Sequence, residues 1–144
     1  MITILCVGKI KENYLKDMID DYYNRINKYH KLCIVELKDS NIHNEAEELL
    51  KHLKTDSYNI ALDINGKEYD SISFATKVDS LFNHYSNITF IIGGSDGISD
   101  LVKDKCNEKL SFSKLTFPHG LFRAVLLEQI YRSFKINNNE SYHK

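Results

Sequence analysis

The sequence predicts an α/β protein: a mostly parallel sheet with helices on both faces. Three observations predict it. Short apolar runs alternate along the chain with longer stretches whose apolar residues recur every three or four positions. The helical stretches mostly run ten residues or more, the length a crossover between parallel strands requires. No internal repeat, low-complexity tract or Pro/Gly/Ser-rich linker interrupts the alternation, and 144 residues suit one domain spanning 1–144.

The elements follow in order. ITILCV (2–7) reads as a buried strand, and residues 12–29 as a helix with Leu15, Ile19, Tyr22, Tyr23 and Ile26 on one stripe. LCIVEL (32–37) is a second strand, followed by a helix over 44–53 with Asn44 as its N-cap. YNIALDI (58–64) is the third strand. The helix over 71–85 takes Ser71 as its cap and turns Phe74, Val78, Leu81 and Phe82 inward. ITFII (88–92) is the fourth strand, and a short helix spans 99–107. KLSFS (109–113) is the fifth strand. The last helix covers 118–136, with Pro118 in its first turn, where a missing N–H costs nothing.

Composition narrows the function classes. With 42% hydrophobic and 27% charged residues the chain resembles an ordinary soluble protein. No apolar run approaches the roughly 20 residues of a membrane span. ITILCVG after Met1 lacks a basic leader, so the expectation is a cytosolic protein without membrane attachment. Cys6, Cys33 and Cys106 are odd in number and far apart, without ligand-spaced histidines, which predicts no metal and no disulfide framework. Net charge is −1, against a simple polycation that grips nucleic acid. The distribution is uneven, however: residues 55–110 sum to −4 and residues 111–144 to +3. The basic end is the part expected to meet phosphate.

In open parallel sheets ligands bind outside the carboxyl ends of the strands. Those ends read VGK (7–9), LDINGK (62–67), IIGGSDG (91–97) and SFSKLTFPHG (112–120). Glycines directly beyond strands let main chain approach a ligand closely, so a pocket floored by backbone is expected. GGSDG (93–97) is neither G-x-G-x-x-G nor a Walker loop. It is either a tight turn into a helix capped by Ser95, Asp96 or Ser99, or a ligand loop. His119 and Arg123 share a face near the start of the last helix, a place suited to an anion. The plain reading of this pair is a polar residue near the cap and a surface salt-bridge former. Ala124, Val125, Leu126, Leu127, Ile130, Tyr131 and Phe134 leave that helix almost no polar face, so it is buried in the domain or against another chain, and a second copy is the simplest cover. Tyr142, His143 and Lys144 form either a frayed tail or a stacking and phosphate-contacting one.

Taken together, IIGGSDGIS, LSFSKLTFPHGLFR, EQIYRSFKI and the terminal YHK closely resemble the ribosomal RNA large subunit methyltransferase H family, of the SPOUT class. The likeness runs from ILCVGKIKENY to the last residue. It implies methylation of N3 of a pseudouridine in large-subunit (23S) rRNA within the assembled ribosome, with S-adenosylmethionine as cofactor. It also implies an α/β fold with a C-terminal deep trefoil knot, and a homodimer.

By the same resemblance Ser113, Lys114, Leu115, Thr116, Phe117 and Pro118 wrap the cofactor. Gly94 lies against it and Leu62 touches the adenine side. Catalytic roles fall on Arg123, His119, Tyr142 and His143: Arg123 positions phosphate or base, His119 shapes the acceptor side, and the tail contacts substrate. Arg123, His143 and Lys144 are the expected substrate-binding residues. The stretch 39–54 is about a dozen residues shorter than the family's usual connection, by loop-length reasoning, which bears on substrate contacts made there. Two other readings remain open at this point: a SPOUT enzyme acting on tRNA, and a non-catalytic nucleotide- or RNA-binding module.

Overall fold

The computed structural model describes Met1–Lys144. Five strands, β1 (Ile2–Val7), β2 (Leu32–Leu37), β3 (Ser57–Glu68), β4 (Asn87–Ile92) and β5 (Glu108–Ser111), form one sheet in the order β2-β1-β4-β3-β5, and every pairing is parallel. The helices are α1 (Asn13–Asn27), α2 (Ile42–His52), α3 (Ser71–Phe82), α4 (Asp100–Asp104) and α5 (His119–Asn137).

Alternate residues of a strand face opposite sides, and that rule divides the core in two. Ile2, Ile4 and Cys6 of β1 and Ile88, Phe90 and Ile92 of β4 enter the larger cluster, under α1, α3 and α5. Leu5, Val7 and Ile91 enter the smaller one, under α2 and α4. Central strands covered on both faces read as continuous apolar runs, as β1 and β4 do. Burial pushes the Cys6 thiol up to about 12, so it acts as a small hydrophobe.

Two expected caps are corrected, and the cover of α5, which the sequence left open, is decided. The cap of α2 is Asn41, whose side chain accepts the Asn44 N–H at 2.8 Å, and the helix therefore begins at Ile42. The cap of α3 is Asp70, in a reciprocal capping box with Ser73. The third point concerns α5. Its apolar surface is covered by α1 and α3 of the same chain, which bury Leu126, Leu127, Ile130 and Phe134 completely or nearly so. A helix crossing the middle of a sheet face is flanked on both sides, so this surface does not call for a second copy.

Strand β3 runs four residues past its expected end, because β5 pairs with it twice. Leu110 is in register with Leu62 and again with Lys67, and residues 63–66 bulge between the two pairings. Close approach makes Gly66 necessary there: a Cβ would lie 2.6 Å from the Leu110 nitrogen and the Lys109 carbonyl carbon. Both are backbone atoms that cannot step aside. Gly66→Ala should destabilise the protein by about 3 kcal/mol, the upper end of ordinary overpacking. Urea denaturation checks this against Asn65→Ala, whose exposed side chain should cost less than about 0.5 kcal/mol.

His30, just beyond α1, stacks on Phe82 with ring centroids 4.2 Å apart. Burial disfavours its charged form and holds its pKa below the ordinary 6.5. The unfolded chain therefore binds this proton more readily than the folded one. The contribution of His30 to stability is complete above 6.5 and is lost as pH falls from there toward the lower folded value. Denaturation midpoints followed from pH 8 to pH 5 should fall less in His30→Phe than in the unsubstituted protein.

Candidate active site at the carboxyl ends of the strands

Parallel strands place all their carboxyl ends at one end of the sheet, and there the ends of β3, β4 and β5 enclose a cleft of about 160 Å³. Its floor is main chain. Gly93 and Gly94 follow β4, and a Cβ on Gly93 would lie 2.5 Å from the Gly97 carbonyl group. Gly97 donates its N–H to the Gly94 carbonyl at 3.0 Å, closing a tight turn, and Ser99 caps α4. GGSDG is thus a tight turn and a wall of the cleft at once.

The opposite wall is the segment after β5. Ser111 Oγ donates to the Ser113 carbonyl at 3.0 Å, and the Leu115 N–H donates to Ser113 Oγ at 3.0 Å, which fixes the turn. Phe112 meets Phe122 edge-on at 5.1 Å, and Phe117 stacks on Phe122 at 6.2 Å. Flat apolar walls over a backbone floor suit a flat, largely apolar ligand group. On the β3 side, Asp63 accepts the Asn65 N–H at 3.2 Å and pairs with Lys103 at 3.1 Å. Burial opposes the charge of Asp63, but these partners hold its carboxyl below the usual value.

Leu62, Gly94, Ser113, Leu115, Thr116 and Phe117 all line this cleft, and so does His119. Lys114 and Pro118 are exposed beside it without lining it. Pro118 stands at the N-cap of α5, where its carbonyl accepts the Phe122 N–H at 2.9 Å.

The basic residues of the C-terminal segment have other surroundings than expected. Arg123 is 2% exposed; it donates to the Glu36 carboxylate and, at 3.0 Å, to the Gly8 carbonyl. Its guanidinium ties α5 to the ends of β1 and β2 and is not free to meet a phosphate. Arg132 pairs with Glu128 and Lys135 with Glu140, so of five cations in 111–144 only Lys114 and Lys144 are without an ion pair. The tail is docked, not frayed. Tyr142 donates to Glu128 at 3.0 Å and meets the Tyr131 ring edge-on at 4.9 Å, while Arg132 lies over the Tyr142 ring and 3.1 Å from His143 Nδ1. Within one chain this tail does not line the cleft.

Sequence reasoning missed Glu36, Asp63 with Lys103, and the buried Glu45. Glu36 and Asp63 are ordinary charged residues whose ion-pair partners lie far along the chain, while Glu45 accepts the nearby Ser40 N–H; no local signal marks any of them. No cluster of three or more His, Cys, Asp or Glu could hold a metal ion, and no helix is long and apolar enough to cross a membrane.

The fold and cleft define an α/β protein with a main-chain-floored cleft at the strand ends. A solved structure, "a probable methylase family protein from Haemophilus influenzae Rd KW20", superposes over 99% of this chain and 70% of its own with a TM-score of 0.62 at 15% identity, which supports the fold. Residues 1–143 match the family described as "Predicted SPOUT methyltransferase". A relative from Methanococcus maripaludis (strain C5) is 52% identical over 157 aligned positions, covering 99% of both chains. Proteins from Clostridium novyi (strain NT) and Clostridium botulinum (strain Kyoto), both named ribosomal RNA large subunit methyltransferase H, are 49% and 48% identical with the same coverage. The chain belongs to the SPOUT methyltransferases and, within them, to the ribosomal RNA large subunit methyltransferase H family.

The Arg123–Glu36 pair has unequal ends, for Glu36 keeps 39% of its side chain in solvent and Arg123 only 2%. Glu36→Ala leaves a buried cation unpaired and should cost about 3–5 kcal/mol. Arg123→Met frees a carboxylate that can turn to water and should cost less. Chemical denaturation of the two variants checks the order.

Proposed function

We propose that this chain methylates N3 of a pseudouridine in large-subunit rRNA on the assembled ribosome, using S-adenosylmethionine. The observation that carries the reading is the glycine-floored, aromatic-walled cleft, in a chain about half identical along its whole length to curated members of the family. When bound, S-adenosylmethionine supplies an already activated methyl group. The protein then needs neither nucleophile nor metal, and its work is alignment and exclusion of water.

Leu62, Gly94, Ser113, Leu115, Thr116 and Phe117 hold the cofactor, with Lys114 and Pro118 beside them shaping the loop, Ser113 rigid through its turn and Phe117 covering one face. His119 lies between cofactor and acceptor, where a group that takes or shares the N3 proton is required. Arg123 acts from behind, fixing Gly8 and the start of α5, instead of touching phosphate. Tyr142, His143 and Lys144 serve a second copy of the chain, because in their own protomer they lie away from the cleft. Exposed Leu115, Phe117 and Leu121 near the mouth suit such a homodimer. The chain works as a single cytoplasmic domain whose C-terminal segment forms a deep trefoil knot.

The test is transfer of labelled methyl to intact ribosomes lacking the modification, with free large subunits, naked rRNA and tRNA in parallel, followed by mapping of the labelled nucleotide. Label on a pseudouridine N3 in intact ribosomes is the expected result. Label confined to tRNA, or none on any substrate, overturns the proposal.

A further inference from the structure

Behind the glycine floor of the cleft lies a carboxylate with no cation. Glu45, in the first turns of α2, is 6% exposed and takes part in none of the salt bridges of the protein. Its Oε2 accepts the Ser40 N–H at 2.9 Å. Its two oxygens stand 3.0 and 3.2 Å from the place a Gly94 Cβ would occupy, next to Val7. Gly94 lines the cleft, so its main chain stands between this carboxylate and a bound ligand. The cleft lining contains no Lys or Arg; its one acid, Asp63, is already paired with Lys103, and its one imidazole is His119.

A buried charge with a single backbone donor is costly unless a cation comes to it. The partial positive end of α2 offsets part of that cost. The methyl donor brings the rest, because its sulfonium carries a full positive charge that disappears when the methyl leaves. We propose that Glu45 is a positioning residue that acts as counter-charge to the sulfonium across Gly94, favouring the charged donor over the neutral thioether product. The effect falls on loading and release: the attraction that admits the donor vanishes with the reaction, and the product is free to leave. This rests on the methyl-transfer reading above. A purely structural Glu45, holding Ser40 and α2 in place, would affect both ligands alike.

Calorimetry on the full chain separates the cases, with S-adenosylmethionine and S-adenosylhomocysteine titrated into the unsubstituted protein and Glu45→Gln. Loss of the charge should weaken the sulfonium ligand about tenfold and change the thioether by less than about twofold. Equal changes for both ligands, or none, overturn the assignment. Should Glu45→Gln fail to fold, the unsubstituted protein still decides. An analogue with a protonated amine in place of the sulfonium should bind several-fold more tightly than the thioether, and the reverse order sinks the counter-charge. If the unsubstituted protein binds neither donor nor product, the methyl-transfer reading fails and the inference falls with it.

Discussion

One buried cation decides where the last helix begins, and much of the cleft follows from that. Arg123 reaches from α5 to the Gly8 carbonyl and to Glu36, at the ends of β1 and β2. The strand that precedes α5, however, is β5, at the far edge of the sheet. From β5 to β1 is three strand spacings, about 14 Å. The seven residues 112–118 could span about 23 Å if fully extended. They must cross over the ends of β3 and β4 with only modest slack, and there they form the outer wall of the cleft. Pinning one end of α5 thereby shapes a loop that Arg123 never touches.

The same economy of contacts changes how the basic C-terminal segment is understood. Its excess charge in sequence is largely answered in three dimensions, by Glu36 from β2 and by Glu128 and Glu140 from the segment itself. What remains exposed is one lysine on the loop after β5 and one at the chain end. A surface so nearly neutral favours recognition of an assembled, shaped surface over capture of bare RNA by bulk charge. The 157 aligned positions exceed the 144 residues of the chain, so at least 13 of them have no counterpart here. After β2 a four-residue link and α2 deliver Asn41 to its cap and Glu45 to Gly94.

The alternation of strands and helices was legible because β1 and β4 are covered on both faces and leave unbroken apolar runs. The cleft was legible in outline, since glycines directly after strands admit few other uses. Local signals were less exact where candidates crowd together: in DSNIHN and in YDSIS several residues could cap, and only backbone geometry selects Asn41 and Asp70. The extension of β3 was hidden because INGKE carries turn-forming and charged residues, while its pairing depends on Leu110, more than forty positions later. Periodicity showed that α5 is apolar but not what covers it. Arg123 and Glu36 lie 87 residues apart, and nothing near either one announces the other.

The cleft also limits where proton chemistry can occur. Of its lining side chains only Asp63 and His119 are ionisable, and Asp63 is held ionised by Lys103 and the Asn65 N–H. An acid kept charged in this way is a poor carrier of a proton near neutral pH. His119 is the one other ionisable side chain that lines the cleft. It stands in the first turn of α5, the helix that Arg123 fixes in place. The buried cation that sets the outer wall thus also sets the position of the imidazole, so the loop after β5 and His119 cannot move independently.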